Sequence, residues 1–165
     1  CCQELLPLGI DFKEMSDCTK MPYADESFDV IINRHGDYCP AELWRTLKKG
    51  GLFLTQQVGE DNDRELVELL LPGIQKPFTG WNLAEQKRCI EGAGFEVLRA
   101  DECFRPIKFT DIGALVWFAR IIEWEFVDFS VESCMEQLLK AQEILEQRGA
   151  VEGTTHRFLL VARKP

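Results

Sequence analysis

The stretch from Asp17 to Gln57 limits the folds open to this chain more than any other. It starts with an acidic turn. Phe28-Asp29-Val30-Ile31-Ile32 follows, short, apolar and β-branched, which is the composition of a strand covered on both faces. Pro40 to Lys49 reads as a helix, with Leu43, Trp44 and Leu47 on one stripe and charge opposite. Gly50-Gly51 is expected to end that helix, because glycine takes the left-handed C-terminal conformation without steric penalty. Gly51 to Val58 reads as a second buried strand. A strand, a helix and a strand of these lengths make one parallel βαβ crossover, so the chain reads as α/β.

The 165 residues suit a single domain, 1–165, able to bury roughly 68–70% of its unfolded surface. No apolar run approaches the roughly 18 residues of a transmembrane helix, and no membrane association is expected. Cys1-Cys2-Gln3-Glu4-Leu5-Leu6 has neither the basic region nor the cleavage pattern of a signal peptide. The seven cysteines are odd in number, irregularly spaced and without a CxxC pair. That fits a reducing cytoplasm better than a disulfide framework or a zinc site, and no metal-ligand cluster stands out. A net charge of −9 repels nucleic acid at long range and weighs against it as a partner.

The rest of the chain divides into further elements. Residues 10–15 alternate apolar and polar and read as a strand. Asp61 to Leu71 is an amphipathic helix, with Asp61, Asn62 or Asp63 as its cap. Asn82 caps a helix over Leu83 to Glu91. Gly92-Ala93-Gly94 follows that helix and precedes a strand, Phe95 to Leu98 with an extension toward Phe104. A phosphate or cofactor loop runs from strand to helix, so this GxG reads as a helix C-cap and a tight turn. Thr110 or Asp111 caps a helix over Ile112 to Ile122. Trp117 and Trp124, at helical spacing, read as core. Ser130 caps another helix, which Gly149 ends. His156 to Arg163 is the last strand, and His156 reads as a structural or surface histidine. Glu42 and Arg45 read as a helix-surface pair.

Several of these pieces recur together in one family. Asp17-Cys18, Met21-Pro22-Tyr23 and Asp25 to Asp29 are followed by Leu47-Lys48-Lys49-Gly50-Gly51 and a strand. At this spacing they resemble the middle of the class I, Rossmann-like S-adenosylmethionine-dependent methyltransferases. Patterns like LPF…SFD and RxLKPGG lead into the family's strands 4 and 5, and Lys49 replaces the proline here. The closing Arg157-Phe158-Leu159-Leu160-Val161-Ala162-Arg163 resembles the family's antiparallel last strand. The resemblance implies a three-layer αβα sheet. It equates residues 10–15 with strand 3. The first two strands would then be missing, with the glycine-rich cofactor loop and the ribose-binding acid. The helical stretch at about 110–148 becomes an insert before the last strand.

The same resemblance assigns roles. The Asp17 carboxylate would accept a hydrogen bond from the adenine amino group, and the Cys18 N–H would meet a ring nitrogen. Met21, Pro22 and Tyr23 would wall the adenine. Asn33, Arg34 and His35 lie just after strand 4, where the cofactor's methionine end and the substrate would meet, with His35 as an orienting residue or a base. Gln56 and Gln57 would position a polar acceptor. Each has a plainer reading: a turn aspartate bonding its own backbone, ordinary packing, loop amides. The expected function is methyl transfer from S-adenosylmethionine to a small molecule, with weak or absent cofactor binding by this chain alone. The alternative is a non-catalytic methyltransferase-like module acting in binding or assembly. An unpaired edge at Phe28 to Asn33 implies a homo-oligomer.

Overall fold

A computed structural model of the protein describes residues 6–10, 12–75 and 77–165. A 3-10 turn, Leu6–Leu8, is followed by β1 (Phe28–Arg34), α1 (Pro40–Thr46), β2 (Leu47–Val58), α2 (Arg64–Leu70) and α3 (Leu83–Gly92). Then come β3 (Glu96–Phe109), α4 (Ile112–Ile121), α5 (Met135–Arg148) and β4 (Val151–Arg163). The strands form one sheet in the order β1-β2-β4-β3, so the last strand in sequence sits between the second and third.

Cross-strand contacts fix the directions. Lys48 bonds Asp29 and Thr55 bonds Asn33, so β1 and β2 advance together and are parallel. The Gly50 N–H donates to the Lys164 carbonyl and the Gly59 N–H to that of His156, so β4 runs against β2. Arg163 pairs with Glu96, and Lys108 with Glu152, so β4 also runs against β3. β1, β2 and β3 thus share one direction and β4 opposes them. The parallel crossover and the antiparallel closing strand both stand.

Two expected elements differ, and β1, a strand as expected, is not covered on both faces: Val30 is 48% and Ile32 77% exposed. Ile10 and residues 12–15 form no strand, while Asp11 lies outside the described residues. Alternation makes a strand only where a neighbour takes up the backbone N–H and C=O groups. Here Ile10, Phe12 and Met15 stay exposed. The second difference is the end of α1, at Thr46 rather than Lys49. Leu47 is already extended (φ −76°, ψ 138°) and opens β2. Leu43 and Leu47 share a helical face, yet Leu47, Phe53 and Thr55 also share a strand face, and burial favours the strand. Gly50-Gly51 is therefore a bend within β2. Gly50 takes φ +80°, and a Cβ on Gly51 would lie 2.8 Å from the Lys48 carbonyl oxygen.

The chain divides into two compact units. The first comprises Cys1–Thr55, Lys87–Arg99 and Leu160–Pro165. Its buried side chains include Leu43, Leu47, Phe53, Ile90, Phe95 and Leu160. Trp44 meets Phe95 edge-on at 5.2 Å and lies against Gly94, whose φ of +99° closes the turn after α3. The Phe95 N–H returns to the Ile90 carbonyl, the bond pattern of a helix C-cap, so this glycine pair is the expected turn.

The second unit comprises Gln56–Gln86 and Ala100–Leu159. Its core joins Leu66, Val67 and Leu70 of α2, Leu115 and Ala119 of α4, Leu138 and Ala141 of α5, with Phe109, Phe126 and Val151. The two helices of the expected insert are thus this unit's core. The tryptophans are not: Trp117 is 65% exposed and Trp124 55%. Leu115 and Ala119 face inward, and Trp117, two positions on, falls about 200° round the helix. Among the described residues no helix is long and apolar enough to cross a membrane.

Candidate functional site

The candidate site in the first unit starts at the turn around Asp17. The Thr19 N–H donates to Asp17 Oδ1 at 2.8 Å and the Thr19 hydroxyl to the same oxygen at 2.6 Å. These bonds lower the Asp17 carboxyl below its ordinary range. Among the described residues Asp17 Oδ2 and the Cys18 N–H bond to no other residue. The Cys18 thiol is pushed up by burial and then by the nearby charges of Asp37 and Cys39.

The next segment is held from α1. Arg45 forms a bidentate pair with Glu42, Nε to Oε1 at 2.8 Å and Nη2 to Oε2 at 2.7 Å. Its remaining donors reach the Tyr23 carbonyl and Asp25 Oδ1, both at 2.8 Å, and the Met21 carbonyl at 3.1 Å. Glu42 Oε2 accepts the Met21 N–H at 2.9 Å, and the Arg45 carbonyl accepts the Glu26 N–H. The supposed surface pair is therefore a clasp on Met21 to Glu26. Its partners lie about 20 positions upstream, beyond the reach of any helical spacing rule. Met21 and Tyr23 are half-buried. Tyr23 meets Phe28 edge-on at 4.8 Å and carries the Lys13 ammonium 4.4 Å from its ring centre.

The clasp sets a pH limit. The Arg45 guanidinium, and after it the Met21 N–H, hold the Glu42 carboxyl down to about 2. A carboxyl depressed by folding contributes stability that is complete above its ordinary value and fades as pH falls through the folded one. The Met21 amide is accordingly expected to keep its exchange protection from neutral pH down to about 3. Protection should weaken only as Glu42 protonates near 2, when the neutral carboxyl becomes a poorer acceptor and a poorer partner for Arg45. Loss already complete at pH 4, read by hydrogen exchange, would show that Glu42 is not its acceptor.

At the carboxyl end of β1, Asn33 Oδ1 accepts the hydroxyl of buried Thr55 at 2.9 Å. Its amide nitrogen reaches the Asp37 carbonyl at 3.5 Å. Arg34 and His35 are exposed, and His35 takes φ +56°. A left-handed conformation is uncommon for histidine, and it ends the strand abruptly at the edge where open α/β sheets hold ligands. Gln56 and Gln57 belong to the second unit. Gln57 is buried and Gln56 half-buried. As neighbours in β2 they point to opposite faces, so both amides cannot serve one acceptor from one side.

The second unit also holds a polar centre that its sequence did not announce. His156 is 1% exposed, with Nε2 2.9 Å from Glu102 Oε1 and the ring stacked on Phe104 at 4.3 Å. Glu60, lowered by the Gly80 N–H and then by Asn82, ties the 79–82 turn to the end of β2. No group of three or more side chains suited to a metal ion occurs among the described residues.

No protein-family model matches the chain, and no curated protein matches it significantly. Solved structures do. A candidate methyltransferase of Bacillus halodurans is 20% identical with a TM-score of 0.60, over 91% of this chain and 70% of that one. The YcgJ protein of Bacillus subtilis is 14% identical with a TM-score of 0.61, over 99% and 76%. The 4+2 cyclase SpnF is 18% identical with a TM-score of 0.52, over 99% of this chain and 60% of SpnF. Together with the strand order and the reversed last strand, these likenesses show that the chain has the fold of the class I, Rossmann-like S-adenosylmethionine-dependent methyltransferases.

Proposed function

We propose that the turn from Asp17 to Tyr23 is the adenine end of an S-adenosylmethionine site, and that the chain serves methyl transfer to a small-molecule acceptor. The observation that carries this reading is the Asp17 turn, whose carboxylate Thr19 orients through Oδ1, next to a segment that Arg45 and Glu42 hold in place. Asp17 takes the adenine amino group, Cys18 the ring nitrogen, and Met21 and Tyr23 supply the wall. The methionine end and the acceptor lie at the end of β1, beside Asn33 and His35, while Arg34, the neighbour of Asn33 in the strand, reaches them only from the opposite face. The sulfonium is already a strong methyl donor, so these residues need only orient the reactants. His35 is then an orienting residue rather than an obligatory base. A net charge of −9 supports a small acceptor over a nucleic acid.

Backbone NMR with S-adenosylhomocysteine at about 1 mM reads even weak binding. The amides of Asp17 to Tyr23 and Asn33 to His35 are expected to shift. Asp17→Ala should weaken the interaction roughly 10- to 100-fold, the worth of one hydrogen bond to a charged group. Equal affinity in the variant returns Asp17 to a turn role, and no shift in either segment sinks the cofactor reading. The fold alone does not set the reaction, as the cyclase among the similar structures illustrates. Binding without release of S-adenosylhomocysteine from S-adenosylmethionine, across a panel of small acceptors, would favour the non-catalytic module.

A further inference from the structure

The surroundings of His156 fix its tautomer through geometry. Glu102 Oε1, from β3, accepts from Nε2 at 2.9 Å, so that nitrogen carries the proton. Nδ1 accepts the backbone N–H of Asp61 at 3.2 Å, so it must be bare. The ring is confined between Phe104 and Gly59, where any Cβ would collide with it. The backbone of His156 holds the same turn. Its N–H donates to Asn62 Oδ1 at 3.2 Å, and its carbonyl accepts the Gly59 N–H at 3.0 Å. The Asp63 N–H adds a bond to the Thr154 carbonyl at 2.7 Å. The turn 59–63, between β2 and α2, is thus fastened to β4 by a short series of bonds. One of them depends on a titratable atom.

The charged groups around the ring come from each neighbouring element. Glu102 lies on β3. The Asp61 carboxylate, on the turn, has Oδ2 4.0 Å from Nδ1, while its Oδ1 takes Arg64 Nη1 of α2 at 3.3 Å. Arg157 of β4 donates to Asn62 Oδ1 and to the His156 carbonyl. Glu60 is committed to the Gly80 N–H and Asn82.

We propose that His156 is a protonation switch on the turn 59–63. A proton taken from solvent onto Nδ1 converts the acceptor of the Asp61 N–H into a donor. Two donors then face each other, and that bond breaks. The new Nδ1–H finds Asp61 Oδ2 close by, so the ring exchanges the Asp61 backbone for the Asp61 side chain. The resulting imidazolium sits between the carboxylates of Glu102 and Asp61, which makes the second state habitable in a buried site. The turn directly follows the carboxyl end of β2, the sheet edge at which such folds hold ligands. Its geometry is therefore set by pH, whatever ligand the protein takes.

Nitrogen-resolved NMR of the full chain tests this directly. The protein has two histidines, and His35→Gln assigns them. At pH 8 His156 is expected as the Nε2–H tautomer. On acidification the Asp61 amide should shift with the same midpoint as the His156 ring. Its exchange should accelerate at least about tenfold relative to the Gly59 amide, which bonds a carbonyl that does not titrate. An Nδ1–H tautomer at pH 8 overturns the proposal. So does an Asp61 amide unmoved through the ring's titration, or a ring that stays neutral until the protein unfolds. His156→Asn places a non-titrating oxygen near the Nδ1 position, and the pH step at Asp61 should vanish. A step that persists there also overturns the switch. The wild-type measurements decide the matter alone if the variant does not fold.

Discussion

Leu66→Ala is expected to lower the unfolding free energy by about 2–5 kcal/mol, toward the upper half of that range. Leu66 is fully buried in the core of the second unit. The cost of such a truncation depends on how far the surroundings collapse into the space. Here they are held. On one side lies Gly153 of β4, where a Cβ would stand only 2.6 Å from Leu66 Cγ, so backbone already approaches as near as the leucine permits. The α2–β4 spacing is pinned by Glu65, whose carboxylate takes the Thr154 N–H at 3.0 Å and its hydroxyl at 2.7 Å. A helix fastened in this way does not settle into the cavity. Urea unfolding followed by tryptophan fluorescence reads the change as a lowered midpoint at constant slope. A loss under about 1 kcal/mol would mean that α2 moves freely against β4, contrary to the Gly153 contact.

What could be read from the residues alone depended on the distance over which their interactions act. Local signals held. Asn82 accepts the Glu85 N–H at 2.9 Å, Asp111 accepts that of Ala114 at 2.7 Å, and Gly149 closes α5 at φ +78°. Each is a cap completed within a few residues. The apolar runs of β1 and β2 mark both as strands, although β1 is not buried on both faces, with Val30 and Ile32 exposed. Signals that needed a distant partner misled. Residues 10–15 have strand alternation without a strand, and Leu47 fits a helix face and a strand face alike. Helical spacing places Trp117 and Trp124 in the core, whereas Leu115 and Ala119 occupy the inward positions.

The site divides along the same line. Asp17 and its neighbours stood out as a motif because they are contiguous. Arg45 did not, although it organises that motif, because its partners outside α1 lie about 20 residues away. His156 was less legible still, since Glu102 is 54 positions away and Asp61 is 95. A buried histidine announces itself only once the sheet order has set β4 beside β3 and the end of β2.

Arg45→Ala should have the largest functional effect, with affinity for S-adenosylhomocysteine falling on the order of a hundredfold. The reason is ordering rather than contact, because Arg45 is assigned no bond to the ligand. Its guanidinium fixes the Met21 and Tyr23 carbonyls and the Asp25 carboxylate, and it orients Glu42, which takes the Met21 N–H. Without it the adenine wall must be ordered at the moment of binding, at about 1–2 kcal/mol per residue fixed. The Glu26 N–H still bonds the backbone carbonyl of residue 45, so the release is confined to the residues before it. The Met21 amide should therefore lose exchange protection in Arg45→Ala while that of Glu26 keeps it. Arg45→Lys retains the charge but not the planar fork, and should resemble the alanine variant more than the wild type. Glu42→Gln keeps an acceptor for the Met21 N–H and should cost less than either. Exchange and NMR titration on the same samples separate the two layers of the argument. Lost protection with unchanged affinity would leave the clasp intact as structure and remove Met21 to Tyr23 from the binding site. Unchanged protection at Met21 would remove the clasp itself.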